Sequence, residues 1–157
     1  DPNFANYRND TENGRIVLLD FGANREQSRT TSEGNGAMLR AGLDDDRDGI
    51  AQAGRMLGLF DEKTAPHHAE ALVKMTAQVC AQFRTTGPYD FATTTLPEDL
   101  RDAGTELALD QSFTHIPPMS TLFVQRKLAG VFLLATRLRA RVDLQALMRA
   151  HLPPARA

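Results

Sequence analysis

The chain has one cysteine, Cys80, among its 157 residues. That excludes an internal disulfide and any cluster of thiolate metal ligands, and the apolar neighbours of Cys80 mark a buried thiol. Strong charge of either sign is also missing. With a formal charge of -2 and a pI near 6.1, the basic excess expected of a general nucleic-acid binder is absent. No apolar run reaches the ~18 to 20 residues that a membrane-spanning helix needs. The longest, Leu128 to Ala135, is followed by Arg137, Arg139 and Arg141. There is no internal repeat and no low-complexity segment. The first residues, Asp1-Pro2-Asn3, include no Met and open no signal-like segment. The expectation is that targeting information lies upstream of this chain.

What is present suits one globular domain, with 41% apolar and 24% charged residues and enough length for a real core. Asn6 to Arg8, the turn-rich run Asn9 to Gly14, and Arg15 to Leu19 read as two short strands joined by a hairpin loop. The second strand is apolar and bounded by glycines, which predicts burial. From Gln27 onward the pattern is helical. A first helix runs from about Ser28 to Leu43, weakened by Gly34 and Gly36. A second is capped by Asp45 or Asp46 and ends near Gly58. A third, from Thr64 as cap to Phe83, has Pro66 in its first turn and apolar residues at three- and four-residue steps. A short helix from Pro97 to Leu107 follows. The next, Ser120 to about Leu138, is apolar nearly all round in its second half, so a central place in the bundle is expected. A terminal helix spans Asp143 to His151. The fold class is α+β, mostly α-helical: a short β-hairpin followed by a helical bundle.

Chemistry concentrates at the start. Asp1-Pro2-Asn3-Phe4-Ala5-Asn6 sets a carboxylate and a carboxamide five residues apart, and Asp20-Phe21-Gly22 follows one hairpin later. In phosphoryl transfer of the protein-kinase kind, D-x-x-x-x-N supplies an acid near the attacking oxygen and an amide oxygen for Mg²⁺. The DFG carboxylate binds the metal that bridges the phosphates of ATP. Mg²⁺ takes hard oxygen ligands, and few from protein suffice because phosphate and water complete its octahedron. A lone DFG is common by chance. The upstream motif, at the right distance and separated by strand, loop and strand, makes Asp20 a metal carboxylate candidate.

DPNFAN and LLDFGANRE together resemble the catalytic loop and extended DFG segment of the AarF/UbiB atypical kinases, which include the coenzyme Q biosynthesis kinases. The resemblance continues through Asp46-Arg47-Asp48, Tyr89-Asp90-Phe91, Pro117-Pro118 and Arg126-Lys127-Leu128-Ala129-Gly130. Asn24 and Ala129 depart from that pattern, where Thr or a similar small residue and Gly are expected. The resemblance implies a protein-kinase-like C-terminal lobe over residues 1–157, with the catalytic loop and DFG hairpin in 1–26 and a helical subdomain in 27–152. It also implies an N-lobe that these residues do not include. It implies Asp1 as the catalytic-loop acid, Asn6 and Asp20 as cofactor-binding metal ligands, and Mg²⁺ and ATP as cofactors. It further implies an ATPase or phosphotransferase that supports ubiquinone biosynthesis, in a bacterial cytoplasm at the inner membrane or in a mitochondrial matrix. Ubiquinone-biosynthesis proteins and anionic lipid or quinone precursors are its expected partners, alongside nucleotide. The rival reading is a non-catalytic pseudokinase scaffold at a membrane surface.

The remaining polar clusters have plainer readings. Asp44 to Gly49 matches the first half of a calcium loop, but the twelfth position is Arg55 where a bidentate Glu is required. His67 and His68 with Glu70 could suggest a metal site, but adjacent histidines on a helix point about 100° apart and no second cluster completes the sphere, so an exposed first turn is expected. His115 is expected as a buried loop histidine bonded to backbone. Arg126 and Lys127 lie in an apolar helix and are expected to pair with acids or carbonyls. The resemblance, in which a helix follows DFG almost directly, implies that Ser28, Thr30, Thr31 and Ser32 are a helix start rather than activation-loop phosphosites. Arg137, Arg139, Arg141 and Arg149 form a basic face, read as a solvated helix end or a contact for lipid headgroups.

Overall fold

The computed structural model describes residues 3–22 and 24–152, and among these the chain is mostly helical. After one 3₁₀ turn at Phe4–Asn6 come strands β1 (Tyr7–Asp10) and β2 (Arg15–Leu18), paired antiparallel with Tyr7 opposite Leu18 and Asp10 opposite Arg15. Asp10 builds the turn. Its carboxylate accepts hydrogen bonds from the Glu12 and Asn13 amides and from the Asn13 side chain, and Gly14 takes the positive φ of 63° that closes the loop. The Asn13 side chain, foremost, holds the Asp10 carboxyl below its usual value.

Helices α1 (Arg29–Leu43), α2 (Arg47–Met56) and α3 (Pro66–Phe83) form the core. Ser28 caps α1 by accepting from the Thr31 amide, so the serine and threonines after DFG are a helix start as expected, with Thr31 buried. Asp45 then turns the chain at φ 57°, and Asp46 caps α2 through the Gly49 amide at 2.9 Å. Ala41, Ile50 and Ala77 bring one apolar residue from each helix into a shared cluster, while Leu57, Leu59 and Phe60 fill a second beside Leu72 and Val73. The glycines that weaken α1 as an isolated helix let it approach its neighbours. A β-carbon on Gly42 would collide with Cys80, and one on Gly34 would come within 2.8 Å of Leu57. Cys80 is buried as predicted, and burial raises its thiol pKa.

The α3 start differs from expectation. Thr64 does not cap the helix; its hydroxyl bonds Asp61 in the preceding turn, and Ala65 stands at the cap position without a side-chain bond, ahead of Pro66 at the first position. Nor is the first turn merely exposed. His68 is 2% exposed and its Nε2 lies 2.8 Å from Asp110 Oδ2, at the end of α4 (Leu96–Leu109). His115 behaves as expected, with Nε2 2.9 Å from the Gly58 carbonyl.

Two further strands are too short to announce themselves: β3 (Tyr89–Asp90) pairs with β4 (Arg141–Val142), which precedes α6 (Leu144–His151). Helix α5 (Met119–Arg137) was expected at the centre and is peripheral instead. It is held along one line, by the buried Thr121 hydroxyl on the Leu57 carbonyl at 2.6 Å and by Phe132 against Phe91 and Tyr89. Leu128, Val131, Leu133 and Leu138 are exposed. Arg126 and Lys127 are exposed too, so they need no buried partners. Strand β2 likewise departs from the predicted burial. Ile16 is 72% exposed and Val17 and Leu18 are exposed, because a two-stranded ribbon sends successive side chains to opposite faces and no layer among the described residues covers either.

Gly42→Ala is expected to lower stability by about 1–3 kcal/mol through overpacking, against about 1 kcal/mol of helix propensity gained. Urea denaturation measures the difference, and Cys80→Ala in the same background should recover part of it. Because Asp10 is depressed in the fold, its contribution is present above the ordinary value of about 3.9 and is lost as pH falls through the depressed one. An NMR titration should show the Asp10 pKa rising toward that ordinary value in Asn13→Ala.

Candidate functional site

The hairpin base carries the predicted site. The Asn6 carbonyl accepts the Leu19 amide at 2.9 Å, continuing the register one step past Tyr7 and Leu18. Asn6 therefore stands across from Leu19, and Asp20 is the next residue out of the strand. Residues 14 apart in sequence are brought to the same end of one ribbon by backbone hydrogen bonds. Asn3 stabilises the approach to Asn6 by capping the 3₁₀ turn, its side chain accepting from the Ala5 amide at 3.2 Å.

Asp20 is exposed and follows the last β2 residue by two positions. Its Oδ1 accepts the Gly22 amide at 2.7 Å, which bends the chain sharply after the strand and fixes the carboxylate orientation. Asn6 is half-buried. Both side chains offer hard oxygen atoms of the kind Mg²⁺ accepts, and the exposed Asp20 carboxylate is open to water and phosphate. Asp1 lies outside the described residues. Phe21, the middle residue of the DFG tripeptide, is 61% exposed.

Two cations tie this region to the helices. The Arg137 guanidinium sits 5.1 Å from the centre of the Phe4 ring, and Arg25, just past the DFG segment, lies 4.9 Å from that of Phe123. Arg137 thus has a specific contact beyond its place on the basic face. Asp46, in the would-be calcium loop, is occupied as a helix cap. One cluster escaped the sequence reading: His67, His68 and Asp110 gather three metal-ligating atoms within 4.8 Å of one another. The adjacent histidines were visible in sequence. Asp110, more than forty residues away, carried no signal of its own.

No protein-family model matches the chain. Individual proteins do. It is 30% identical to the rat (Rattus norvegicus) mitochondrial atypical kinase COQ8B over 142 residues, which are 90% of this chain and 26% of that protein. It is 26% identical to the zebrafish (Danio rerio) COQ8B over 141 residues, 90% of this chain and 22% of the relative. The Caenorhabditis elegans mitochondrial atypical kinase coq-8 is 26% identical over 147 residues, 91% of this chain and 19% of its own length. The chain spans about a quarter or less of these curated relatives. A similarity that runs through nine-tenths of the chain, together with the DPNFAN and LLDFGANRE motifs, makes it a homologue of the AarF/UbiB atypical kinases.

Proposed function

We propose that residues 1–157 act as the C-terminal lobe of an atypical kinase-like ATPase or phosphotransferase that binds Mg-ATP and supports ubiquinone biosynthesis. The observation that carries this reading is the hairpin: Asn6 and Asp20 stand at one end of it, joined by the Asn6 carbonyl and the Leu19 amide. In this role the Asn6 amide oxygen and the Asp20 carboxylate hold Mg²⁺. When bound, Mg-ATP supplies the phosphoryl group and the charge that neutralises it in transfer. Asp1 accepts the proton of the attacking hydroxyl or water. The Gly22 amide keeps Asp20 from rotating away, so the carboxylate is ready for the ion before it arrives. A nucleotide-binding lobe facing the exposed end of the hairpin completes the cleft. The names of the relatives, mitochondrial atypical kinases, support this assignment and a mitochondrial setting.

A second reading, a non-catalytic scaffold at an anionic membrane surface, is favoured by the exposed arginines Arg137, Arg139, Arg141 and Arg149. Among the described residues no helix is long and apolar enough to cross a membrane, so such contact would be peripheral. Arg141 is 3.7 Å from Asp90 and Arg137 covers Phe4, which leaves Arg139 and Arg149 as the more available pair. Retention of both metal-ligand candidates favours the first reading.

In a protein carrying both lobes, Asp20→Asn should abolish Mg²⁺-dependent ATP binding in calorimetry while circular dichroism stays unchanged; retained binding refutes the ligand assignment. The 157-residue chain alone should show no measurable ATP hydrolysis, since one lobe supplies only part of the nucleotide contacts. Charge reversal at Arg139 and Arg149 should reduce co-sedimentation with anionic liposomes if the scaffold reading holds, and equal binding would remove this face from that role.

A further inference from the structure

We infer that His67, His68 and Asp110 form a binding site for a divalent transition-metal ion of the zinc type, one that clips the start of α3 to the end of α4. The site lies on other elements than the hairpin and is independent of the phosphoryl-transfer reading.

Adjacent helical residues point about 100° apart, yet these two histidines bring the same atom, Nε2, to the same oxygen. Nε2 of His68 is 2.8 Å and that of His67 3.3 Å from Asp110 Oδ2, and the two rings are 3.9 Å apart between centroids. One N–H bond to Asp110 would satisfy His68 in its buried position. The exposed His67 ring could instead point to water, and its convergence on an oxygen already bonded is what a shared ion explains.

The donor set fits the ion. Two imidazole nitrogens and one carboxylate oxygen are ligands that zinc accepts at about 2.0–2.2 Å, which in a tetrahedron places ligand atoms about 3.3 Å apart. The His67 to Asp110 separation already has that value, the His68 contact needs to open by about half an ångström, and the three ligating atoms, within 4.8 Å of one another, leave the two histidines to settle to the same spacing around the ion. The supporting atoms are in place as well. Asp110 Oδ1 accepts both the Ser112 amide at 2.9 Å and the Ser112 hydroxyl at 2.6 Å, which leaves Oδ2 turned toward the histidines. Phe113 packs edge-on against the His68 ring, 5.1 Å between centroids, and restrains its rotation. Binding the ion moves the imidazole protons from Nε2 to Nδ1, so that each Nε2 presents a lone pair in place of its N–H. His67, 65% exposed, leaves a side open where water completes the coordination.

Zinc chloride titrated into the 157-residue chain should bind one equivalent and raise the melting temperature. Co²⁺ in its place should give the intense visible absorption of a four-coordinate N/O site. His67→Ala, at an exposed position where folding is preserved, and Asp110→Asn, which keeps a hydrogen-bonding oxygen for Ser112, should each weaken Zn²⁺ binding at least about tenfold and remove the Co²⁺ bands. Binding that is not saturable at one equivalent, or wild-type affinity retained in either variant, overturns the proposal.

Discussion

The close approach of α1 to α3 is the contact on which the helical part of the molecule depends. With Cys80 filling the space a side chain on Gly42 would occupy, the end of α1 lies against the last turn of α3. Arg84, just past α3, then reaches the same point. Its guanidinium donates to the Gly42 carbonyl at 2.6 Å and sits 3.0 Å from the Asp45 carboxylate, in the left-handed turn between α1 and α2. One cation thereby satisfies a helix-end carbonyl and holds the turn that starts α2. Because Arg84 is partly shielded and bonds to two acceptors in fixed positions, it does more than an exposed ion pair would. From α2 the chain reaches Gly58, whose carbonyl and that of Leu57 receive His115 and Thr121, so α5 is hung from the same three-helix core.

The hairpin is built on another principle. Its strands are mutually hydrogen-bonded, its turn is closed by Asp10, and its outlet is bent by Asp20, all of them interactions within a few residues or across one ladder. Its links to the helices include two arginines over aromatic rings, contacts worth about 0.5–1 kcal/mol each where exposed. The internal geometry of the candidate site is therefore set by the ribbon itself rather than by the core. Substitutions in the core should reach the hairpin through its attachment more than through its shape.

Local signals in the sequence were legible to the extent that the structure is local. The hairpin, the Ser28 and Asp46 caps, the α1 to α3 succession and the buried Cys80 follow from turn chemistry, capping and periodicity acting within a few residues. The failures share one cause. β3 and β4 pair across some fifty residues with two residues each, too few for an alternating pattern. The apolar richness of α5 and β2 gave the amount of hydrophobic surface but not what would cover it. His68 read as exposed because its position in a first turn is local, whereas its burial depends on Asp110 and Phe113 from beyond α4. Thr64 lost its cap role to a competing local bond with Asp61, a choice that residue type alone leaves open.

The two clusters of polar chemistry are accordingly mounted in opposite ways, and this bears on what each can do. Asn6, half-buried, and Asp20, exposed, stand at the base of a largely exposed ribbon, where a hydrated ion and the phosphates it carries would meet the Asp20 carboxylate from solvent. A ligand that must come and go suits such a mounting, because little surface has to be opened for exchange. His68 is buried and Asp110 is fixed by Ser112, so an ion held there would bridge the start of α3 and the end of α4, with one side open to water at His67. Such an ion would add to stability by binding the folded state alone, as any ligand absent from the unfolded chain does. The two clusters thus differ in ligand type as well as in burial: oxygen donors alone on the exposed hairpin suit an ion that exchanges with its phosphates, whereas two imidazoles and a carboxylate beside α3 suit one that is retained.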